Sequence, residues 1–477
     1  MKPHEYADFD ATSLAELIRS GEVTTDEVHA AATAALDAVQ PTVNGLVGER
    51  FAAPLDYAAD GPFAGVPFAI KDLILHAEGV TQAAGTRLLG EGVPMPSDTH
   101  LMARFRRAGL ATFARTATPE LGFNANTEPL TSGSVRNPWD LTRSAGGSSG
   151  GSSAMVAARA LPVAHANDGG GSIRIPAAAC GLVGLKPSRG RVSVGPDYAD
   201  PLMGLGVEFA VTRTVRDCAG LLDAVHGYEP GDRYQLPGLP RSYVDEARSG
   251  CRPLRIALTT TPFCGNGAVD SRCVAATEKV GRALEALGHT VEPAAPGIAK
   301  AELDDANFVA WTSFLADGVD GLCAALGVSA GPEHLEATTR ACVEHGRTLR
   351  AADLYGAERV FNATARAIAA FHQHYDVVLS PTMNVPNTAL GHLNADDDSL
   401  TARGWYDHLF ASAGFTALAN VTGNPAISLP LGRTDEGWPV GVQLMAPYAD
   451  EATLLALAGD LEQAMPWAAH RPPTVVG

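Results

Sequence analysis

Two glycine- and serine-rich runs hold the residue types in this chain best placed to do chemistry. They are Gly146-Gly147-Ser148-Ser149-Gly150-Gly151-Ser152-Ser153 and Asn167-Asp168-Gly169-Gly170-Gly171-Ser172-Ile173-Arg174-Ile175-Pro176. Flexible linkers share this composition but border polar sequence. These runs flank apolar stretches, 154–161 and 162–166, that must be buried. Glycine loses more conformational entropy on folding than any other residue, so clustering it in a core needs a reason. Successive glycines let backbone N–H groups converge on one point and make a nest for an anion. A phosphate is one guest, yet the chain has neither the P-loop pattern nor a GxGxxG after a strand. A tetrahedral oxyanion is the other, and it requires a nucleophile at the rim. Ser172 closes the second run, in that place.

A serine nucleophile needs a base, and a neutral lysine serves as well as a histidine. Lys71 follows the apolar run Val66-Pro67-Phe68-Ala69-Ile70. A free lysine titrates near ~10.4, and burial without a carboxylate lowers that by up to ~3–5 units. On residue type alone, a buried ion pair is the commoner fate for such a lysine. Ser148 alone reads as a turn serine bonded to local backbone. Ser172 alone reads as the N-cap of a helix begun near Pro176. Asp168 and Arg174 read as supports, Asp168 for the glycine loop and Arg174 for a nearby carboxylate. A competing pattern is GxSxG over residues 146–150, which would make Ser148 the nucleophile of a Ser-His-Asp esterase. That elbow needs a preceding strand, and Asn137-Pro138-Trp139-Asp140 reads as a turn instead.

The elements that must position these residues alternate. Thr24 and Glu27 form a capping box before Val28, Ala31, Ala32, Ala35, Leu36 and Val39, a helix that Pro41 is expected to end. Strands are expected at 66–70, 110–114, 254–258, 290–292, 376–380 and 426–430, and helices at 100–108, 154–161 and 269–287. Such alternation predicts an α/β fold around one large sheet. No Pro/Ser-rich linker divides the chain, so residues 1–477 are expected to form one domain. Its N-terminal segment, 1–60, should be helical, and its chemical core should span about 65–190.

Composition excludes several functions. Fifty-three acidic against 35 basic residues give a net charge of −18, which repels nucleic acid and anionic lipid. No apolar run is long enough for a membrane span, and the N-terminus lacks the order of a secretory signal. The seven cysteines are scattered without a CxxC pair. These features predict reduced thiols and a cytoplasmic protein. His372-Gln373-His374-Tyr375-Asp376 lacks the last histidine of an HxHxD site. His76-Ala77-Glu78 lacks the PCxxC of zinc deaminases, and HExxH is absent. Neither a metal nor another cofactor is expected. Asp396-Asp397-Asp398 reads as a solvated loop.

The motifs together resemble the amidase signature family. They are Gly65-Val66-Pro67-Phe68 leading to Lys71-Asp72, Thr118 to Gly122, Arg136-Asn137-Pro138-Trp139, Gly146 to Gly151, and Asp168 to Pro176. Cys180 to Pro187, Ser380-Pro381-Thr382, Gly423-Asn424-Pro425-Ala426 and Gly441-Val442-Gln443-Leu444 complete the set. Ser172 follows Ser148 by 24 positions. The resemblance implies a large mixed, twisted β-sheet covered by helices on both faces. It also implies cofactor-independent hydrolysis of a carboxylic amide through an acyl-serine, with esters or carbamates as side substrates. Ser172 matches the nucleophile, Ser148 the cis-serine that relays a proton, and Lys71 the base. The N–H groups of Gly169, Gly170, Gly171 and Ser172 match the oxyanion hole, and Phe123, Asn124 and Asn126 fall where relatives shape the acyl pocket.

Asn167 stands where the family often has Ser or Thr, and Ala114-Arg115-Thr116-Ala117-Thr118 replaces a Gly-Lys-Thr-Asn pattern. Both departures are expected to affect the pocket without touching the triad. The 165–168 approach and Arg143-Ser144 look most like the cyclic-dimer hydrolases of nylon oligomers. A second reading within the family is the glutaminase subunit of a tRNA-dependent amidotransferase. Ile175 argues against it, because those subunits usually carry Gln there. The expected partner is a small amide substrate, with a homodimer left open.

Overall fold

The structure, a computed structural model, describes residues 1–476. The short apolar runs become strands. In chain order these are β1 (Leu46–Val47), β2 (Pro67–Lys71), β3 (Thr81–Gln82), β4 (Val93–Pro94), β5 (Ala111–Thr116), β6 (Arg136–Asn137), β7 (Asp140–Ser144), β8 (Val163–Asp168), β9 (Val183–Lys186), β10 (Val207–Thr212), β11 (Arg255–Leu258), β12 (Thr290–Pro293), β13 (Val377–Pro381), β14 (Ala426–Arg433) and β15 (Pro439–Met445). Eight of them make one mixed sheet in the order β12-β11-β13-β15-β14-β9-β10-β8. β11 is parallel to both β12 and β13, and the remaining pairs are antiparallel. The helix Ser271–Ala286 connects β11 to β12, as a parallel pair requires.

Strand periodicity explains how both faces of this sheet are covered. Successive side chains point to opposite sides. Val377 and Leu379 of β13 join an apolar cluster with the helices Val215–Val225, Ser271–Ala286 and Glu451–Ala464. Val378 between them joins a second cluster with the helices Lys300–Leu326, Ala402–Ser412 and Ala417–Thr422. The fold is therefore the α/β arrangement the sequence implies.

A smaller sheet, β1-β5-β2, has β2 parallel to β5. β2 lies against β8, the last strand of the large sheet. There the backbone N–H of Lys71 donates to His165 Nδ1 at 3.2 Å.

Several boundaries differ from expectation, each for a local reason. The Thr24–Glu27 box caps the helix Thr25–Val43, but Pro41 lies inside its last turn. The helix ends at Asn44, in the left-handed region with φ 58°, whose N–H still reaches Gln40 O. Helix stops at Val43 because Leu46 and Val47 pair with Thr116 and Arg115, so the N-terminal 60 residues are only partly helical. The helix expected over 154–161 runs from Gly150 to Ala157 and is buried throughout. Glycine permits this closeness, since a Cβ on Gly151 would strike the backbone of Ala117 and Gly45. A strand, β7, does precede Ser148, paired with β6 around the Pro138-Trp139 turn. The objection to an elbow that rested on a missing strand therefore falls.

The helix Lys300–Leu326 is long and apolar enough to cross a membrane by length and composition. It instead buries Leu303, Phe308, Trp311 and Leu315 in the second cluster, against the helices Ala337–Gly346 and Ala351–Phe371. Asp396 and Asp398 are exposed, as a solvated loop requires.

Candidate active site

Lys71 is the last residue of β2 and is fully buried. Its Nζ lies 2.6 Å from Ser148 Oγ and 2.5 Å from Asn167 Oδ1. No carboxylate forms an ion pair with it among the described residues. Burial pushes its ammonium down to about 7, against the opposing pull of Glu208 and Asp168. The buried ion pair that residue type alone favours is therefore not the arrangement found. Asn167 touches Lys71 directly, contrary to the expectation that this departure stands off the triad. The period of β8 explains the contact, because His165 and Asn167 share the face that meets β2. Asn167 Nδ2 donates to Leu73 O at 3.1 Å, which turns Oδ1 toward the lysine.

His165 is occupied elsewhere. Its Nδ1 accepts the Lys71 amide proton, and its Nε2 lies 2.7 Å from Glu208 Oε2. An amide N–H can only donate, so Nδ1 carries no proton and the ring is neutral. Ser148 Oγ bonds to lysine and not to histidine, which removes the Ser-His-Asp reading.

The two serines are delivered by loop-to-helix turns. The Gly147–Ser148 peptide is cis, and the helix Gly150–Ala157 follows. A Cβ on Gly147 would meet the carbonyls of Asn124 and Asn126, so this turn depends on glycine. Ser172 precedes the helix Arg174–Cys180, whose N-cap position falls on Ile173 and not on the serine. Ser172 Oγ has no hydrogen-bond partner among the described residues. It opens on a narrow cavity lined also by Ser148, Asn167, Gly169 and Glu208, with Leu202, Trp311 and Phe314 as apolar wall.

Asp168 organises the glycine loop as the sequence suggests. Its Oδ1 accepts from Gly171 N at 2.7 Å and its Oδ2 from Ile173 N at 3.2 Å. Arg174, fully buried, donates to both carboxylate oxygens at 3.0 and 2.9 Å. Arg174 also reaches Thr416 O, Gln443 Oε1 and Asn420 Oδ1. Burial pushes the Asp168 carboxyl up, but the charge and hydrogen bonds of Arg174, then Lys186 and Asn420, hold it at about 2. Gly171 has φ 136°, and a Cβ there would run into Thr416 and Ile175. This clamp corrects one expectation: the Gly171 N–H is consumed by Asp168 and cannot serve as a fourth oxyanion donor. The N–H groups of Gly169, Gly170 and Ser172 have no protein acceptor among the described residues. They are the donors left for an anion.

The expected pocket residues fare differently. Asn124 Oδ1 accepts from Asn126 N, and its Nδ2 donates to Leu393 O. Asn126 bonds Glu128 and Thr388. Both brace the Gly147 turn and neither lines the cavity. Phe123 lies behind the wall, stacked on Trp311 with ring centroids 4.4 Å apart. Trp311, Phe314, Leu202 and Glu208 escaped the sequence reading. Glu208, an acid inside the apolar run Val207-Glu208-Phe209-Ala210-Val211, was the available signal.

The metal-like motifs are dispersed. His372 Nδ1 faces Tyr375 O, Asp376 pairs with Arg252, and His76 contacts Ser97 O and Asp197. No group of three His, Cys, Asp or Glu side chains gathers to hold a metal among the described residues.

Known proteins match this chain over most of its length. The family profile described as Amidase matches residues 22–455. A 6-aminohexanoate-cyclic-dimer hydrolase of Paenarthrobacter ureafaciens is 37% identical over 491 residues, covering 97% of this chain and 96% of that protein. A putative amidase of Mycobacterium tuberculosis is 38% identical, covering 98% of this chain and 97% of that protein. A solved structure of 6-aminohexanoate cyclic dimer hydrolase superposes with a TM-score of 0.91 at 36% identity, covering 98% of this chain and 99% of that one.

Proposed function

Because the chain belongs to the amidase signature family, and so hydrolyses the C–N bond of linear or cyclic carboxylic amides, we propose that it does so through an acyl-serine on Ser172. Lys71 is the base and Ser148 the relay. The observation that carries this reading is the fully buried Lys71 Nζ, 2.6 Å from Ser148 Oγ with no carboxylate paired to it among the described residues. A lysine held near 7 is partly neutral at neutral pH and has a lone pair to offer.

Ser172 Oγ attacks the amide carbonyl carbon while its proton passes to Ser148 Oγ, whose own proton passes to Lys71 Nζ. The carbonyl oxygen becomes an oxyanion held by the N–H groups of Gly169, Gly170 and Ser172. Collapse of the tetrahedral adduct breaks the C–N bond, and the amine leaves with the proton returned from Lys71 through Ser148. Water then attacks the acyl carbon while the same relay takes its proton, and as the acyl C–O bond breaks that proton returns from Lys71 through Ser148 to Ser172 Oγ, which restores the serine. Asp168 and Arg174 keep the loop in shape without touching substrate. Asn167 fixes the lysine.

The substrate is a small molecule, and the relatives named for 6-aminohexanoate cyclic dimer support an amide of an aliphatic amino acid, cyclic or linear. The test is release of arylamine from an aliphatic acyl anilide by the purified chain alone. Ammonia release from glutamine with no anilide cleavage would overturn the reading.

A further inference from the structure

Glu208 lies in the antiparallel ladder of β10 and β8 directly opposite Asn167, the residue that holds Lys71. Directly opposed residues have Cβ atoms about 5 Å apart, so this carboxylate is close to the reacting centre. It is 4% exposed, and what it exposes faces the cavity that Ser148 and Ser172 also line. One oxygen accepts from His165 Nε2 at 2.7 Å. The other has no protein partner among the described residues.

No Lys or Arg forms an ion pair with this carboxylate among the described residues, and Lys71, on which its charge pulls, is held down to about 7 by burial. His165 is neutral, because its Nδ1 accepts the Lys71 amide proton. The other acid on the cavity lining, Asp168, is matched by Arg174 at 2.9 Å. No Lys, Arg or His lines the cavity. The same cavity is lined by Trp311 and Phe314, and aromatic ring faces attract cations. Tyr198 lies against Phe314 with ring centroids 6.5 Å apart. Burial, then the charges of Asp197, Asp317 and Glu208, push the Tyr198 phenol up.

Burying a lone carboxylate is costly unless something neutralises it. An apolar cavity with two aromatic side chains in its lining and one free carboxylate oxygen is an environment suited to an ammonium group. We propose that the amide substrate carries a protonated amine and that Glu208 is the specificity-determining residue that receives it. The proposal rests on the amidase reading above and deepens it. It separates two roles that Glu208 could hold. As a support for His165 it would affect every substrate alike, whereas as a counter-ion it discriminates.

The test uses the purified chain with paired acyl p-nitroanilides, matched in chain length and ending in either an amine or a methyl group. At a pH below the amine's pKa, the amine-terminated substrate should have a kcat/KM at least about tenfold higher at the best chain length. Glu208→Gln, which keeps an acceptor for His165, should bring the two substrates within about twofold of each other. Equal rates for the pair in the parent, or an unchanged ratio in Glu208→Gln, would overturn the proposal. A readout free of turnover accompanies it: calorimetric titration with n-alkylammonium ions and with the matching n-alkanols. Ammonium binding that Glu208→Gln abolishes supports the proposal even if no anilide is cleaved, an outcome that would instead sink the amidase reading. Failure of any alkylammonium to bind more tightly than its alkanol overturns it whether or not anilides are cleaved.

Discussion

Asn167 Oδ1 and Lys71 Nζ stand 2.5 Å apart, with Asn167 Nδ2 tied to Leu73 O. The amide therefore cannot flip its nitrogen toward the lysine without losing a bond. A neutral lysine has two N–H groups and one lone pair. Committing an N–H to Asn167 leaves the lone pair for the Ser148 hydroxyl.

Replacing that amide by a carboxylate should disturb the site in a defined direction. In Asn167→Asp an opposite charge within ~4 Å favours protonated lysine and raises its pKa by about 1–3 units. Activity at pH 7 should fall about tenfold or more and recover as pH rises. Asn167→Thr, which puts a hydroxyl acceptor in place of the amide oxygen, should fold and still acylate. A pH–rate profile for Asn167→Asp superimposable on the parent's would remove Asn167 from any role in setting the proton on Lys71.

The parent's own profile should carry one ascending limb. Lys71 must be deprotonated, so kcat/KM should decline below about 7. Lys71→Ala should lose most turnover, and an unchanged limb in that variant would exclude lysine as the base.

The same titration bears on stability. The folded lysine titrates at about 7 and the unfolded one near its ordinary 10.5. Between those values only the unfolded chain holds the proton, so stability drops as pH falls through the window and levels off below about 7. The slope is about 1.4 kcal/mol per pH unit. Lys71→Met should be inactive yet more stable than the parent near neutral pH, with the gain vanishing at high pH. Urea denaturation at several pH values measures it.

Fluorophosphonate should label Ser172. Its hydroxyl is the one that opens on the cavity unbonded, beside the free N–H groups of Gly169 and Gly170. Peptide mapping that finds the adduct on Ser148 would reverse the two serines' roles.

Arg174→Ala removes the guanidinium paired with the buried Asp168 carboxylate and leaves it the Gly171, Ile173 and Asn420 donors. Breaking such a pair from one side costs about 3–5 kcal/mol, measurable by denaturant unfolding. Labelling of Ser172 should slow as well, since Asp168 then holds Gly171 and Ile173 less firmly.

The parts legible in the sequence were those set by local chemistry. Glycine runs beside apolar stretches marked the nest, and the capping box at Thr24 and Glu27 marked a helix start to the residue. Register was not legible. That β2 lies against β8, bringing Asn167 to Lys71, depends on which strands end as neighbours across nearly 100 positions of sequence. The same holds for Glu208, which becomes meaningful only once paired opposite Asn167. Asn124 and Asn126 misled because adjacency in sequence to a pocket loop resembles adjacency in space. Their side chains turn to Leu393 and Thr388 instead. Gly171 misled differently, since a glycine run says which N–H groups are available and not which a neighbouring carboxylate has already taken.

Base and serines arrive on separate sheets. Lys71 ends β2 of the three-stranded sheet, while Ser148 and Ser172 flank β8, the margin of the large one. A chain cut in the turn at Leu130 and Thr131, both exposed, would place the lysine in one fragment and both serines in the other. Neither half could carry out the reaction alone. Turnover by the recombined halves would then report complementation, a chemical signal that the two sheets have met in register.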